Sequence, residues 1–213
     1  MQEKETGRVE AFSDGVFAVA ITLLVLNIKV PGLLPDDKGL WAVLAREWSM
    51  YVAYITSFAT IGIMWLNHHR ILVHIRRTDT ILILLNLLLL SIIVLIPVPT
   101  DLLAEYLVRP DMHVAAIIYS SMFFVMSCCF NFLWRYASHE NRLLAKNVSP
   151  QAVAAINQQY LCGPLFYTVT FVVAWFNAPI SILLNFILAL FFAIPGPSLA
   201  SFSGRMKREE TVV

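Results

Sequence analysis

Charged residues are scarce in this sequence, at 14% of the chain, whereas hydrophobic residues make up 59%. A soluble domain keeps roughly a quarter of its residues charged, because its surface must interact with water. A chain of 213 residues with so little charge cannot cover such a surface, and its mean hydropathy of +0.72 is strongly positive. The composition therefore predicts an integral membrane protein that is surrounded by the lipid bilayer.

Other absences exclude further classes of protein. The net charge of +1 and the lack of Lys/Arg-rich runs exclude a strongly basic nucleic-acid-binding protein. The three cysteines, Cys128, Cys129 and Cys162, lie in apolar stretches without the spacing of a disulfide framework or a C-x-x-C site, so we expect packing residues. No Ser-His-Asp order, glycine-rich phosphate loop or pair of deep carboxylates is present, and we expect no enzyme.

The histidines do not favour a metal centre. Three of the five lie in HHRILVH at 68–74, and the isolated His113 and His139 do not supply the further clustered histidines of a membrane di-iron enzyme. Helix capping and pairing with a carboxylate are favoured over a mononuclear site. We therefore expect neither a bound metal nor a cofactor.

Six stretches approach the roughly 20 apolar residues that a membrane-spanning helix requires. They predict an all-α membrane protein with six transmembrane helices in one domain over residues 1–213. The IPVP segment is expected to break the third helix from Pro97, and NAP at 177–179 to form a tight turn. The predicted spans are 12–28, 48–66, 81–98, 114–134, 160–176 and 179–194.

Loop charges orient these spans. Eleven of the fifteen Lys and Arg residues fall before span one, between spans two and three, between spans four and five, or after span six. The other four are Lys29, Lys38, Arg46 and Arg109. Because positively charged loops stay in the cytoplasm, both termini are predicted to be cytoplasmic, as an even number of spans requires.

Asp14 lies inside the first span, where an unpaired carboxylate costs several kcal/mol. A partner is available in MWLNHHR at the end of span two, and we expect Ser13 and Asp14 to dock span one there. The alternative is that Asp14 only extends toward the lipid headgroups. The candidate hydrogen-bond donors of span two are Trp65, Asn67, His68, His69 and Arg70.

A helical projection places a second feature on another face of span one. At 100° per residue, Leu23 lies about 40° from Val19, Leu26 about 20° and Thr22 about 60°, whereas Asp14 lies about 140° away. Val19, Thr22, Leu23 and Leu26 thus form an apolar stripe that contains one hydroxyl group. A stripe of this kind on a membrane helix is usually a packing or lipid contact, and periodicity alone does not indicate conduction.

RVEAFSDGVFAVAITLLVLNI at 8–28 contains the pattern R-x-x-x-F-S-D, formed by Arg8, Phe12, Ser13 and Asp14, ahead of T-L-L-V-L. This signature resembles that of the endolysosomal transmembrane potassium-channel family and its prokaryotic six-span homologues. IGIMWLNHHR at 61–70 is similar to the family's second span. The resemblance implies a potassium-preferring cation channel, assembled as a homotetramer, without a re-entrant pore loop or a T-V-G-Y-G filter.

The resemblance also implies roles for the stripe. In that family the first span of each subunit lines the pore, and its hydrophobic constriction rings correspond here to Val19, Leu23 and Leu26, with Thr22 as the neighbouring threonine. Val19 is smaller than the Ile or Leu that is common at that ring, so we expect a wider constriction. Thr22 is the expected selectivity determinant, unless its hydroxyl only bonds back to its own helix.

Two other functions are compatible with the sequence. A proton-coupled secondary transporter would use Asp14 and the span-two histidines as a proton relay, although Asp14 is shallow for a transporter site. A membrane scaffold would conduct nothing. The channel is the favoured function, with potassium and other monovalent cations as permeant ions and a prokaryotic plasma membrane as the expected location.

Overall fold

The computed structural model of the chain describes residues 4–28, 32, 39–107, 109–145 and 148–193. These residues are almost entirely helical, and the one strand-like feature among them is an isolated bridge between Ile75 and Leu144. The first helix continues directly into a 3-10 turn, Leu24–Asn27. The α-helices are α1 (Lys4–Leu23), α2 (Leu40–Arg46), α3 (Trp48–Leu72), α4 (Thr80–Val94), α5 (Pro97–Tyr106), α6 (Met112–Ser138), α7 (Pro150–Ala174) and α8 (Ala178–Ala193).

Four helical segments of the described chain are long and apolar enough to cross a membrane. Helix α8 is also apolar but shorter, with 16 residues. The chain is therefore an all-helical protein with several apolar spans, as its composition predicts. The four segments are Thr6–Leu26, Met50–Leu72, Thr80–Tyr106 and Met112–Asn141.

Helix α6 forms the centre of the bundle and packs against α4, α5, α7 and α8. Its buried positions run from Ala115 to Ala137, and Phe123 and Trp134 are among the largest fully buried side chains of the protein. Large apolar residues such as Leu84 and Leu165 instead face outward. Apolar side chains on both the inside and the outside are expected for a bundle whose solvent is lipid.

The break in the third predicted span differs from the prediction. The chain leaves the helix at Leu95 and Ile96, before Pro97, and a new helix, α5, then begins at Pro97. Proline suits this first helical position because its missing N–H would have no partner there anyway. The IPVP segment is thus a break between two helices, and the prediction missed both α5 and the short helix α2.

The other helices also extend beyond the predicted spans. Helix α1 begins at Lys4 rather than Phe12, and α7 begins at Pro150 rather than Tyr160. At the turn between α7 and α8, the Asn177 side chain caps α8 by accepting from the Ile180 amide at 3.1 Å. Several residues used in the orientation argument and the end of span six lie outside the described residues, namely Lys29, Lys38, Lys146, Ile194, Arg205, Lys207 and Arg208.

Buried hydrogen bonds connect α6, α7 and α8 in the interior. Ser120 on α6 contacts Ser181 on α8 at 2.9 Å, and Asn185 on α8 donates to Ser120 at 2.8 Å. Thr170 on α7 lies 3.1 Å from the Asn185 side-chain oxygen and accepts through its backbone from Ser181. Between apolar helices these bonds fix which residues face each other, because a mispaired polar group would remain unsatisfied in a dry interior.

A polar clamp surrounds Asp79 at the start of α4. The Asp79 carboxylate caps α4 by accepting from the Leu82 amide at 2.9 Å, and it also accepts from Tyr136 at 2.6 Å and from Arg142 at 2.9 Å. Burial by itself raises the pKa of the Asp79 carboxyl, but these hydrogen bonds outweigh it and hold the pKa below its usual value. One side chain thus connects α4 to the end of α6 and to the turn that follows it.

We expect Asp79→Ala to lower the apparent melting temperature, since losing a helix cap alone costs about 0.5–2 kcal/mol. Because folding lowers the Asp79 pKa, this stabilisation is present above the ordinary Asp pKa of about 3.9 and is lost as the pH falls below it. Thermal unfolding in detergent between pH 7 and pH 3 measures both effects. Glu105→Ala is the control, because its exposed pair with Arg109 should contribute little. Equal effects of the two substitutions at pH 7 would contradict the clamp.

Candidate functional site

Helix α1 has two faces of opposite character. Phe17 and Ala20 are buried where α1 packs on α3 and α4, and Leu24 is buried at the start of the 3-10 turn that follows. On the other face Val19 is 55% exposed and Leu23 48% exposed. The 3-10 turn adds Leu26, which is 71% exposed, and Thr22 is exposed as well. The predicted stripe is therefore a continuous face that the described chain leaves largely uncovered.

The end of the stripe at Leu26 is straighter than an ideal α-helix would make it. Side chains three residues apart eclipse one another in a 3-10 helix, and Leu24–Asn27 adopt that geometry. Leu26 therefore lies in line with Leu23, whereas α-helical geometry would rotate it by about 60°. Two large side chains thus stand one above the other on the uncovered face.

The Thr22 hydroxyl makes a hydrogen bond within its own helix, which was the alternative to a role in selectivity. Its Oγ1 donates to the Val19 carbonyl oxygen at 2.9 Å. The hydroxyl proton is then directed back along the helix, and the oxygen lone pairs remain available on the exposed side. A cation binds to oxygen lone pairs, and this orientation of the hydroxyl presents them on the exposed side.

The Asp14 carboxylate lies away from the stripe and has a partner on α3. The indole Nε1–H of Trp65 donates to Asp14 Oδ1 at 2.8 Å. Trp65 in turn stacks on His69, with ring centroids 5.8 Å apart, and His69 Nδ1 lies 3.3 Å from a Glu10 carboxylate oxygen. Two acidic residues of α1 thus contact two aromatic residues one turn apart on α3.

Ser13 belongs to a separate, buried hydrogen-bond chain. Asn86 Nδ2, on α4, donates to Ser13 Oγ at 2.9 Å, and Ser13 donates to the Val9 carbonyl at 2.8 Å. Asn86 Oδ1 lies 2.7 Å from His68 Nε2, so this nitrogen must carry a proton. All bonds therefore run in one direction, from His68 through Asn86 and Ser13 to Val9, and they connect three helices.

Asn86 was not among the predicted site residues, although the sequence contained a signal for it. It is the only amide in TILILLNLLLLSIIV, the sequence of α4, and an amide in such an apolar helix needs a partner. The prediction considered partners for Asp14 and Ser13 on span two alone. The partner of Ser13 is instead Asn86 on α4, and Asn86 in turn contacts His68 on span two.

The remaining predicted residues do not join Asp14. Asn67 donates to the Ile63 carbonyl of its own helix at 3.0 Å. Arg70 donates to the Phe192 and Ala193 carbonyls at the end of α8, at 3.3 and 2.7 Å, where a cation also interacts favourably with the helix dipole.

At the start of α1, the side chains of Arg8 and Phe12 are exposed. Both residues line a cavity with Asp79 and Thr80 at the start of α4. Among the described residues, no group of three or more His, Cys, Asp or Glu residues has an arrangement that could hold a metal ion.

Comparison with known proteins identifies similar chains. Residues 8–97 match the family described as endosomal/lysosomal potassium channel TMEM175. A protein of Chamaesiphon minutus named a potassium channel is 46% identical over 194 residues, which cover 91% of this chain and 96% of that protein. A protein of Streptomyces collinus with the same description is 43% identical over 199 residues, again covering 91% and 96% of the two chains.

A solved structure is similar over nearly the same length. The crystal structure of a Chamaesiphon minutus homologue of a lysosomal potassium-selective channel, TMEM175, superposes on this chain with a TM-score of 0.80 at 44% identity. The match covers 89% of this chain and 97% of that one.

The buried chain through Ser13 gives a testable prediction. Ser13→Ala removes the acceptor of Asn86 Nδ2, and an unpaired amide donor between helices costs about 1–2 kcal/mol. We expect a lower apparent melting temperature in detergent. Ser91→Ala is the matched control, because the Ser91 hydroxyl is exposed and bonds only to the Leu88 carbonyl of its own helix. If both substitutions shift the melting temperature equally, the Ser13–Asn86 bond does not stabilise the bundle.

Proposed function

This chain belongs to the family of the endosomal/lysosomal potassium channel TMEM175, and we propose from that membership that it forms a potassium-preferring cation channel lined by α1. Its full-length relatives are named potassium channels, and the family consists of channels rather than enzymes. The observation that carries the proposal is the uncovered face of α1, where large apolar side chains are about half exposed or more.

Several copies of α1 around an axis would form the constriction. One helix cannot enclose a pore, so the proposal requires an oligomer, and we propose a homotetramer. Four copies each of Val19, Leu23 and Leu26 then form stacked apolar rings that block ions by dewetting until they widen. An ion that crosses such rings loses part of its water, and potassium loses water more easily than sodium. A moderate potassium preference follows without a carbonyl filter.

Thr22 is the proposed selectivity determinant within these rings. Its hydroxyl proton is already used in the bond to Val19, so four Thr22 oxygens would present lone pairs to a partly dehydrated cation. Val19 is a comparatively small residue at the neighbouring ring, and we expect it to limit how strongly the pore discriminates between the two ions.

The proposed topology has six spans with both termini in the cytoplasm, in a bacterial plasma membrane. Helix α7 is not one of the four long apolar segments, but its 25 residues, about 37 Å at 1.5 Å per residue, exceed a hydrocarbon core of roughly 30 Å. The exposed aromatic residues Trp48, Trp175 and Phe176 lie at the start of α3 and at the turn between α7 and α8. They are suited to the outer interface, opposite the arginine-rich end at Arg70.

The proton-coupled transporter is not favoured. Asp14 contacts Trp65, whose indole N–H donates but cannot accept a proton, so this bond is not a relay step. His68 is connected to Ser13 through an amide rather than to a carboxylate. These contacts support a docking role for Asp14, in which it holds α1 while the opposite face lines the pore.

Cysteine modification tests the pore lining. In a background with Cys128, Cys129 and Cys162 changed to Ala, we expect Val19→Cys and Leu23→Cys channels to lose potassium flux after reaction with a cationic, membrane-impermeant thiol reagent. The added positive charge would stand in the constriction and repel cations. Flux from potassium-loaded liposomes containing purified protein measures the effect.

Leu84→Cys is the matched control, because this side chain of α4 is also apolar and exposed but lies outside the stripe. Its modification should leave the flux unchanged. Flux that survives modification at both Val19 and Leu23 would contradict a pore lined by α1. Absence of flux from the unmodified protein would contradict the channel itself.

Substitution of Thr22 tests selectivity. If the ring of Thr22 hydroxyls favours potassium over sodium by about 1 kcal/mol in total, Thr22→Ala, which removes every hydroxyl of the ring, should lower the potassium-to-sodium permeability ratio about fivefold. Thr22→Ser keeps the oxygen and should preserve the ratio. Reversal potentials in planar bilayers with potassium on one side and sodium on the other provide the measurement. An unchanged permeability ratio in Thr22→Ala would contradict the selectivity role, and the hydroxyl of the original protein would then serve only its bond within the helix.

A further inference from the structure

An apolar groove lies between α3, α5, α6 and α8, at the end of the bundle opposite Arg70. Its volume is about 540 Å³. The side chains of its floor are 4–7% exposed, whereas those of its rims are 49–57% exposed, so the groove is a cleft that opens at the surface of the described chain. The floor contains Ala53, Thr100, Leu103 and Tyr119, and the rims contain Trp48, Val52, Leu183 and Phe186.

The groove runs along the helices rather than across them. Its lining residues extend from 48 to 56 on α3, from 112 to 119 on α6 and from 179 to 186 on α8. These segments lie at the beginnings of the three helices, and at about 1.5 Å per residue each is roughly 10–12 Å long. One leaflet supplies about half of a hydrocarbon core of roughly 30 Å. The groove therefore has the direction and the length of part of an acyl chain within one leaflet.

The chemistry of the lining favours hydrocarbon over water. The hydroxyl of Thr100, on the floor, already donates to the Ile96 carbonyl at 2.9 Å and requires no water. Most of the other lining side chains are apolar. Keeping apolar surface in contact with water costs about 25 cal/mol per Å², so an apolar occupant is preferred.

An arginine lies close to the mouth of the groove on each of two sides. Arg46 precedes the lining residue Trp48 by two positions, and Arg109 follows the lining residue Leu107 by two. Arg109 forms an exposed ion pair with Glu105 at 3.3 Å, a kind of contact that contributes little to stability. Its guanidinium has five N–H donors, and the fork that they form matches the oxygens of a phosphate. The mouth thus complements the charge of a phospholipid headgroup.

We propose that this groove binds an acyl chain of a phospholipid in the outer leaflet and that Arg109 binds the phosphate of the same lipid. Trp48 lies at the mouth, where tryptophan is favoured because its ring is apolar and its N–H is polar. The leaflet follows from the topology proposed above, and the binding itself does not require ion conduction.

The position of the groove in the bundle favours lipid over a second copy of the chain. Helix α1 packs on α3 and α4, whereas three of the four groove walls belong to α5, α6 and α8. In an oligomer centred on α1, these three helices lie farther from the axis, where the neighbouring molecules are lipids. A second copy in the groove would exclude lipid from it, and the labelling experiment below distinguishes the two occupants.

Photolabelling of the intact protein in liposomes tests the site. The probe is a phosphatidylglycerol that carries a diazirine in the middle of one acyl chain, and peptide mass spectrometry locates the adducts. Leu103, at 7% exposure, lines the groove, and Leu89, at 0% exposure, does not, so the two form a pair of buried leucines. We expect at least severalfold more label at Leu103. Equal labelling of the two leucines would overturn the proposal.

A substitution that fills the groove provides a second measurement. Ala104 is half-buried and lines the groove, so Ala104→Trp would place an indole in the space of the acyl chain. We expect the label at Leu103 to fall at least fivefold, while the label at Leu165, which is 64% exposed and faces outward, stays the same. Ala154→Trp is the control, because Ala154 is an exposed alanine of α7 outside the groove. Unchanged labelling of Leu103 in Ala104→Trp would contradict an acyl chain in the groove.

The contact with the phosphate is tested with a diacylglycerol that carries the same diazirine chain but no phosphate. We expect the phosphatidylglycerol probe to label Leu103 severalfold more than the diacylglycerol probe does, and Arg109→Gln to reduce this difference. Glu105→Gln removes the carboxylate that competes for Arg109, so it should preserve or increase the difference. Equal labelling by the two probes would contradict the phosphate contact. Because labelling requires no ion flux, its failure is distinguishable from a failure of the proposed channel.

Discussion

The need to satisfy polar groups between apolar helices fixes the rotation of α1, and the rest of the site depends on it. Ser13 and Asp14 point to neighbouring sides of the helix, toward Asn86 and Trp65 respectively. Neither bond survives if α1 turns about its axis, and the buried Ser13 and Asn86 side chains would then lose each other as partners in an interior without water. The docked face therefore determines which residues remain on the uncovered face.

The helices behind α1 form a scaffold held by polar bonds between apolar surfaces. In lipid, apolar side chains gain little by leaving their solvent, so packing alone specifies an arrangement weakly. The bonds of Asn185 among α6, α7 and α8, and the Asp79 clamp at the end of the bundle, supply that specificity. Pro164 fits the same principle, because Asn131 satisfies the carbonyl that the proline leaves without a partner.

Sequence reasoning succeeded where the information was local. Helix periodicity alone assigned Val19 and Asp14 to different faces, and the family resemblance is confirmed by relatives that cover nearly the whole chain. It failed where partners come from distant segments. The Ser13 partner lies 73 residues away, and Arg70 bonds to carbonyls that any residue type would provide at the end of α8. A backbone acceptor has no sequence signature, so such a contact cannot be predicted from residue types.

The sequence by itself determined that the protein is helical, that it lies in a membrane, and that the first helix carries an apolar stripe and an acidic residue on separate faces. These follow from composition and from a fixed rotation per residue. Only the tertiary structure decided that Trp65 is the partner of Asp14, that α4 supplies Asn86, and that the stripe remains uncovered. The physical reason is that hydrogen bonds and burial depend on which helices become neighbours, and periodicity within one helix contains no information about its neighbours.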